Sequence, residues 1–162
     1  MALRFYFMAD RERVERERLE RLYRRARYRV ELASGAVELA IGERSAELDR
    51  DLERARASTW AIVTACNPGS VLLGEEENRR RSAELARRLS DAGGSTRPST
   101  GIDPDGRWPD EPGFLVTGAA RAALVALAAE LGQIAIVVGR RGGAAELLWI
   151  GDAAQAPPDD AL

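Results

Sequence analysis

Two asparagine side chains are placed where they could bind a small polar molecule. Asn67 comes two residues after the end of the apolar segment 59–65, which predicts a buried strand. Asn78 lies in the first turn of a helix predicted over residues 75–91, on the face turned toward the sheet. Because an amide both donates and accepts hydrogen bonds, the two amides could read the edge of a polar ligand. The structural alternative is that Asn67 caps its own loop and Asn78 ties that loop down.

An arginine run at the start of the same predicted helix bears on whether the ligand could be an anion. Glutamates at positions 75–77 would repel a phosphate from the helix N-terminus. Arginines at positions 79–81 could offset that repulsion, although such a run more commonly forms an exposed helix face. Arg81 is therefore a further candidate ligand-binding residue.

A second group of candidates lies in the turn-rich segment 95–112. Trp108 could stack on a base or another ring, or fill a gap in the core. Glu111 lies between turn prolines and could accept hydrogen bonds from a ligand, or act as a general base if it is buried. Asp103 and Asp105 could bind a divalent cation, but they lack the ligand spacing of a calcium loop, so an ordinary turn is the better interpretation.

A third amide, Gln133, comes between the helix-ending Gly132 and the apolar segment 134–138. It is either a backbone tether at the start of that strand or a group presented into the same cleft. Ligands in α/β sheets bind beyond strand ends, so we expect a cleft at the end of segment 59–65. The candidate ligand-binding residues are Thr64, Asn67, Asn78, Arg81, Trp108, Glu111 and Gln133.

The residue types that the chain lacks exclude several chemistries. Without histidine, a serine or cysteine nucleophile cannot be activated in the usual way. Without lysine, Schiff-base chemistry and the P-loop lysine are excluded. Cys66 is the single cysteine, so neither an internal disulfide nor a common zinc site can form. We expect no metal and no cofactor, and a reducing, cytoplasmic location.

The N-terminal part of the chain is basic and the remainder is acidic. Residues 1–30 carry ten arginines and five acids, whereas the whole chain has a net charge of −2. A charged helix with a thin apolar stripe is predicted over residues 9–27. It could dock an acidic protein, another copy or nucleic acid, or be a solvated helix laced with Glu–Arg pairs. Nucleic acid is the less favoured partner because the body is acidic and lysine is absent.

The order of predicted elements indicates the fold class. Strands are predicted over residues 28–32, 37–41, 59–65, 114–117, 134–138 and 146–150, and helices after the first over 45–55, 75–91 and 119–131. This order favours an α/β (α+β) domain: a mixed sheet of six or seven strands with three covering helices and hairpins at both ends. We expect a charged N-terminal helix over residues 1–27, one domain over 28–151 and a flexible tail over 152–162. The sequence contains no run of about 18 apolar residues, so no membrane helix is predicted.

Four ordered motifs carry a family resemblance. They are STWAIVTACNPGS at residues 58–70, EENRRR at 76–81, Trp108 followed by EPGFLV at 111–116, and GQIAI at 132–136. Together they resemble the bacterial domain-of-unknown-function family numbered 3293 (DUF3293), over about residues 28–150. The resemblance implies that residues 64–68, Asn78, residues 111–112 and Gln133 are signature positions, and it implies no activity. Cys66 stands where a larger, often aromatic residue is expected, which argues against a nucleophilic role.

Three functions are consistent with these residues. The leading hypothesis is a binding module for a small polar ligand such as a nucleotide, at the cleft described above. The second is a protein-interaction or regulatory module that uses residues 9–27. The third is a hydrolase or transferase with Glu111 or Asp103 as base and an arginine as electrostatic clamp. Whether the chain is an enzyme stays open at this point.

Overall fold

The computed structural model describes the backbone of residues 2–153 and the side chains from Glu12 onward. The elements in this range are α1 (Ala2–Arg25), β1 (Arg27–Leu32), β2 (Gly35–Leu39), α2 (Ala46–Arg54), β3 (Thr59–Thr64), α3 (Glu75–Asp91), β4 (Ser95–Ile102), β5 (Glu111–Thr117), α4 (Arg121–Glu130), β6 (Ala135–Arg140), β7 (Glu146–Trp149) and α5 (Ile150–Ala153). The predicted tail falls almost wholly on residues 154–162, which lie outside the described range. No described helix is long and apolar enough to cross a membrane.

The strands form a single seven-stranded sheet in the order β2-β1-β4-β5-β3-β6-β7. This α+β architecture, with a helix ahead of it, confirms the predicted fold class. All six pairings between these strands are antiparallel, where the sequence predicted a mixed sheet. The reason is that all three helical crossovers, β2–α2–β3, β3–α3–β4 and β5–α4–β6, join strands that have at least one other strand between them. Parallel strands therefore never become neighbours.

Strand β4 is the strand that the sequence did not predict. Its residues, STRPSTGI, lack the apolar alternation that marks a strand, and its one fully buried residue is a serine, Ser99. Pro98 has no backbone N–H to give to a neighbouring strand. The pairing of β1 with β4 accordingly runs from Arg27↔Ile102 to Val30↔Ser99 and stops one residue before the proline.

The sheet curls until its two outer strands meet. Ile41, just after β2, forms an isolated parallel bridge with Ala145, just before β7. The N–H of Gly42 donates to the carbonyl of Ala145 over 2.8 Å, and the N–H of Ala145 donates to the carbonyl of Glu43 over 2.9 Å. The inner face of this curl encloses an apolar cluster that includes Val30, Trp60, Ile62, Leu115 and, from α2, Leu48 and Leu52.

The outer face of the sheet is covered by α3, α4 and α5. Ala61 and Val63 of β3 point to this face and pack with a cluster that includes Leu85, Leu89, Leu124, Leu127 and Ile150. Trp60 and Ile62 of the same strand point to the inner face. Strand β3 is thus buried on both sides, as its nearly continuous apolar sequence indicates, and its C-terminal end is fixed by both layers.

Helix α1 docks along a thin stripe, as its sparse apolar residues indicate. No residue from Glu12 to Arg25 is buried, while Tyr23 and Ala26 pack against the inner cluster. The Arg16 guanidinium lies 4.6 Å from the centre of the Trp149 ring and pairs with Asp152. These contacts lay the C-terminal half of α1 against the same end of the sheet at which β3 ends.

Candidate functional site

The chain leaves β3 through a tight, strained turn. Asn67 and Ser70 have positive φ values of 45° and 58°, which non-glycine residues adopt at a cost. The hydroxyl of Thr64 donates to the carbonyl of Pro112 over 2.8 Å and accepts from the N–H of Cys66 over 3.1 Å. Thr64 therefore fixes the start of this turn to the neighbouring strand β5.

The side chain of Asn67 is the centre of a hydrogen-bond network. Its Oδ1 accepts from Nδ2 of Asn78 and from the N–H of Leu73, both over 2.9 Å. Its Nδ2 donates to Oε1 of Glu111 over 2.7 Å, and its own N–H donates to Oδ1 of Asn78 over 3.0 Å. With 4% of its surface exposed, Asn67 uses each of its polar groups within the chain, so that it positions other groups and leaves none for a ligand.

Glu111 is the acid that this network holds. Its Oε1 accepts a second hydrogen bond, over 2.8 Å, from Nε1 of Trp108. Among the side chains of residues 12–153, none donates a hydrogen bond to its other carboxylate oxygen, and no arginine lies within ion-pair distance. Glu111 and Trp108 are both half-buried. One carboxylate oxygen is thus fixed by two donors, and the other keeps its capacity to accept.

Arg81 and Gln133 hold the turn from its other side. Nε of Arg81 donates to the carbonyl of Ala65 over 2.6 Å, and its terminal nitrogen donates to the carbonyl of Leu131. Nε2 of Gln133 donates to the carbonyl of Cys66 over 3.0 Å. For both residues the observed contact is with the backbone, which corresponds to the tether interpretation of Gln133. Neither side chain is arranged as an anion receptor.

The seven sequence-predicted residues therefore surround a common point, the C-terminal end of β3. Hydrogen bonds join Asn67, Asn78, Trp108 and Glu111 into one network, and Thr64, Arg81 and Gln133 bind the backbone around it. Whether any of them binds a ligand stays a prediction. All seven make internal hydrogen bonds, and two side-chain acceptors among them accept none within the described residues: the second carboxylate oxygen of Glu111 and Oε1 of Gln133.

Sequence reasoning missed three residues beside Glu111: Tyr23, Tyr28 and Ser70. Burial, followed by the negative charge of Glu111, raises the pKa of Tyr23 above its ordinary value, and a hydrogen bond with Ser70 opposes that rise. Burial also raises the pKa of Tyr28, with smaller contributions from Tyr23 and Glu111. The two phenol groups thus lie near the carboxylate. Tyr23 belongs to the apolar stripe of α1, which the sequence indicated only as a packing surface.

We call Tyr23, Tyr28, Ser70, Trp108 and Glu111 the mouth cluster. Strand register supports the location of the cluster, because Tyr28 and Glu111 are both partners of Gly101 on β4. Partners in an antiparallel ladder project to the same face, and Tyr28 belongs to the inner cluster. The mouth cluster therefore lies at an end of the curled sheet, on its inner face, below α1.

A second row of paired residues lies on the same face of the sheet, two positions further along each strand from Tyr28, Gly101 and Glu111. It contains Val30, Ser99, Gly113 and Thr64, which are partners across four adjacent strands. The hydroxyl of Ser99 is buried and has no hydrogen-bond partner within the described part of the chain. Gly113 is required there, since a Cβ would come within 2.6 Å of the carbonyl oxygen of Val63.

Asp103, the other acid proposed as a base, has a structural role. Its carboxylate accepts hydrogen bonds from the N–H groups of Asp105, Arg107 and Trp108 over 3.1, 2.9 and 3.1 Å. The hydrogen bond from Asp105 is the main cause of a lowered Asp103 pKa. A carboxylate that is stabilised in its ionised form is a poor proton acceptor, so this is the ordinary turn that the sequence favoured, and it anchors Trp108.

Two cavities lie elsewhere. One of about 70 Å³ adjoins the start of β3 and is lined by residues of β3, β6 and α4. The other, an open groove of about 470 Å³, lies between α2 and Arg141. Neither contains a predicted site residue. Across residues 2–153, no group of three or more Cys, Asp or Glu side chains is arranged to hold a metal ion.

Comparison with protein-family models gives a match. Residues 63–136 match the model of the family described as "Protein of unknown function (DUF3293)". This match supports the resemblance drawn from the sequence motifs, over a shorter stretch than residues 28–150. No curated protein and no solved structure matches the chain.

Proposed function

From the match of residues 63–136 to a family without a known activity, and from the geometry of the mouth cluster, we propose that the chain is a binding protein for a small polar molecule. The observation that carries this proposal is Glu111. Its carboxylate is half-buried, is fixed through one oxygen by Asn67 and Trp108, and pairs with no arginine in the described range.

An ionised carboxylate is stable in a half-buried position only when donors or counter-charges compensate for lost water. Elsewhere in this chain arginine supplies the compensation, as in the pair between Arg97 and the buried Asp51 over 3.1 Å. Glu111 receives two hydrogen bonds from neutral donors and no cation. A ligand that donates hydrogen bonds would complete its coordination.

The other predicted site residues then act through Glu111. Asn67 and Asn78 orient the carboxylate, and Thr64, Arg81 and Gln133 hold the turn that carries Asn67. A phosphate contact at Arg81 is not supported, since Glu111 is negative and Arg81 is engaged with carbonyl oxygens. We therefore place a nucleotide low among the ligands. The single cysteine, buried and unpaired, is compatible with the expected cytoplasmic location.

The test is a ligand screen that reads out the site directly. In ¹⁵N-labelled protein, the indole N–H of Trp108 gives a signal of its own, which Trp108→Phe identifies among the three tryptophans. We expect some member of a library of small polar metabolites to shift this signal in a saturable way. Glu111→Gln should weaken that binding at least tenfold, because its amide oxygen can still accept from Asn67 and Trp108 while its charge is lost.

Glu38→Gln is the matched control, since Glu38 lies exposed on β2. It should leave binding unchanged. The proposal is rejected if no library member shifts the Trp108 indole signal, or if every compound that does so binds the Glu111→Gln variant equally well.

A second function is favoured by the surface of α1, which could pair with another copy of this chain. Val14 and Leu22 expose 53% and 45% of their surface, and the same helix mixes arginine with glutamate in pairs such as Arg13–Glu17. A helix with both charges is self-complementary when two copies run antiparallel.

Sedimentation of the full chain over a range of concentrations tests this self-association. Changing Val14 and Leu22 together to serine should abolish a dimer, whereas changing the exposed Val71 and Leu72 to serine should not. A wild-type chain that stays monomeric at high micromolar concentration, or a dimer that survives the change in α1, contradicts the idea.

A further inference from the structure

We infer that the ligand of the mouth cluster is a small organic cation, with an ammonium or guanidinium group bound between Glu111 and the surrounding aromatic rings. This inference rests on the proposed function and narrows it to one class of ligand. Three observations support it: the unpaired charge of Glu111, the aromatic side chains around it, and a cation site that the chain builds from its own residues a short distance away.

The first observation concerns charge. The chain has 24 basic residues, all arginine, and arginine pairs even with exposed acids, as in Arg13–Glu17 and Arg50–Glu47. Glu111, which is less exposed to water than many of these, has no such partner in the described range. The electrostatic compensation missing at Glu111 is one positive charge. A neutral donor would supply a hydrogen bond and would leave the charge unbalanced.

The second observation concerns the rings. The indole N–H of Trp108 donates a hydrogen bond to the carboxylate of Glu111. The negative charge of Glu111 also contributes to the raised pKa of the phenols of Tyr23 and Tyr28. Aromatic faces carry negative charge density and attract cations, most strongly where water is partly excluded. A carboxylate among three aromatic side chains repels anions and favours organic cations over neutral molecules of the same shape.

The third observation is an internal example of the same chemistry. Tyr23 contacts Trp149 edge to face, with ring centres 6.1 Å apart. On Trp149 lies the guanidinium of Arg16, which also pairs with the carboxylate of Asp152. One aromatic ring and one carboxylate thus hold a guanidinium on one side of Tyr23. Trp108 and Glu111 likewise provide a ring and a carboxylate, and no arginine among the described side chains pairs with Glu111.

The experiment compares matched probes on the full-length protein. Butylamine supplies an ammonium, and agmatine supplies a guanidinium with a second ammonium at its other end; butanol is the neutral counterpart of butylamine, and butyrate is the anion. The readout is the Trp108 indole N–H signal, titrated at low and at moderate salt. We expect both cations to shift it saturably, with an affinity at least tenfold higher than that of butanol, and butyrate to have no effect. Added salt should weaken cation binding.

Two variants make the result decisive. Glu111→Gln should reduce the affinity for butylamine and agmatine at least tenfold, to the level of butanol. Glu38→Gln removes the same charge from an exposed strand and should change the affinity less than twofold, which controls for net charge. Retention of the wild-type amide spectrum shows that each variant is folded.

The outcomes separate this inference from the proposed function. If neutral or anionic library members bind at Trp108 and the two cations do not, the ligand class is wrong while the binding function stands. If the cations bind the Glu111→Gln variant as tightly as the wild type, the inference is also overturned. If no compound of any charge perturbs Trp108, both proposals fall together.

Discussion

The side-chain amide of Asn67 donates a 2.7 Å hydrogen bond to the carboxylate of Glu111, across 44 positions of sequence. This contact joins the turn after β3 to the first residue of β5. It also gives a buried asparagine in a left-handed conformation a specific task, which is to hold an acid at the mouth of the sheet. Four consequences of this arrangement and its surroundings can be measured.

Replacement of Asn67 should separate its backbone and side-chain roles. Asn67→Ala removes the centre of the network and leaves buried groups of Asn78 and Leu73 without partners, so we expect a loss of about 3 kcal/mol of unfolding free energy. Asn67→Gly loses the same hydrogen bonds but accepts a φ of 45° without strain, and should be about 1 kcal/mol more stable than the alanine variant. Urea unfolding measures both. Equal stabilities would contradict the strained-turn account.

Gly132 should be much less tolerant of alanine than Gly142. Both have positive φ, 74° and 83°, but a Cβ at Gly132 would lie 2.9 Å from the Cβ of Pro68, whereas one at Gly142 meets nothing within 4 Å. We expect a loss of about 1 kcal/mol for Gly142→Ala and of about 2–4 kcal/mol for Gly132→Ala, where overpacking is added. Thermal or urea unfolding provides the comparison. If the Gly132→Ala variant is as stable to unfolding as the Gly142→Ala variant, Pro68 must move to accommodate the added Cβ without cost.

Ser99→Ala should stabilise the fold. The hydroxyl of Ser99 is buried without a partner in the described residues, so its removal should raise the unfolding free energy by about 1 kcal/mol. Thr64→Val provides the opposite case in the same row of the sheet, since the Thr64 hydroxyl makes two hydrogen bonds. That change should cost about 1–2 kcal/mol. A destabilised Ser99→Ala variant would mean that this hydroxyl makes a contact in solution.

The protein should lose stability in alkali through Tyr28. Burial raises the Tyr28 pKa in the folded state above the ordinary value of about 10 that it has when unfolded. The unfolded chain therefore releases its phenolic proton first, so the stabilising effect is complete below about pH 10 and declines as pH rises further. Melting temperatures between pH 8 and 12 measure the decline, and Tyr28→Phe should make it shallower. An unchanged slope in that variant would assign the effect to another group.

Strand β3 and the residues at its end show how much of the fold and of the site could be predicted from the sequence. The apolar run of β3 predicted a strand buried on both faces, and Asn67, Asn78, Glu111 and Gln133 were predicted to converge at its end, which they do. The sequence did not reveal that the amides of Asn67 and Asn78 are hydrogen-bonded within the chain, because their partners are brought together only by the fold. The helix predicted from residue 45 begins as expected, because the hydroxyl of Ser45 caps α2 by accepting from the N–H of Leu48, a local interaction that requires no tertiary information.

Two failures have a common cause. Strand β4 was missed because Ser99 and Gly101 occupy inward-facing positions that usually carry apolar residues. Tyr23 was missed because its value as a site residue depends on where α1 lies. In both cases the relevant property is set by neighbours distant in the sequence: the partners β1 and β5 for β4, and Ser70 and Glu111 for Tyr23.

The contact of Ile41 with Ala145 bears on how small a fragment of this chain can fold independently. The stretch that matches the family ends before β6 is complete and excludes β1, β2 and β7. A fragment of residues 63–136 would contain β4 without its neighbour β1. It would also lose Tyr23, Tyr28 and the bridge between Ile41 and Ala145 that joins the outer strands. Such a fragment would carry open strand edges that invite aggregation. The smallest autonomous unit is therefore expected to be larger than the recognisable motif, and to begin no later than β1.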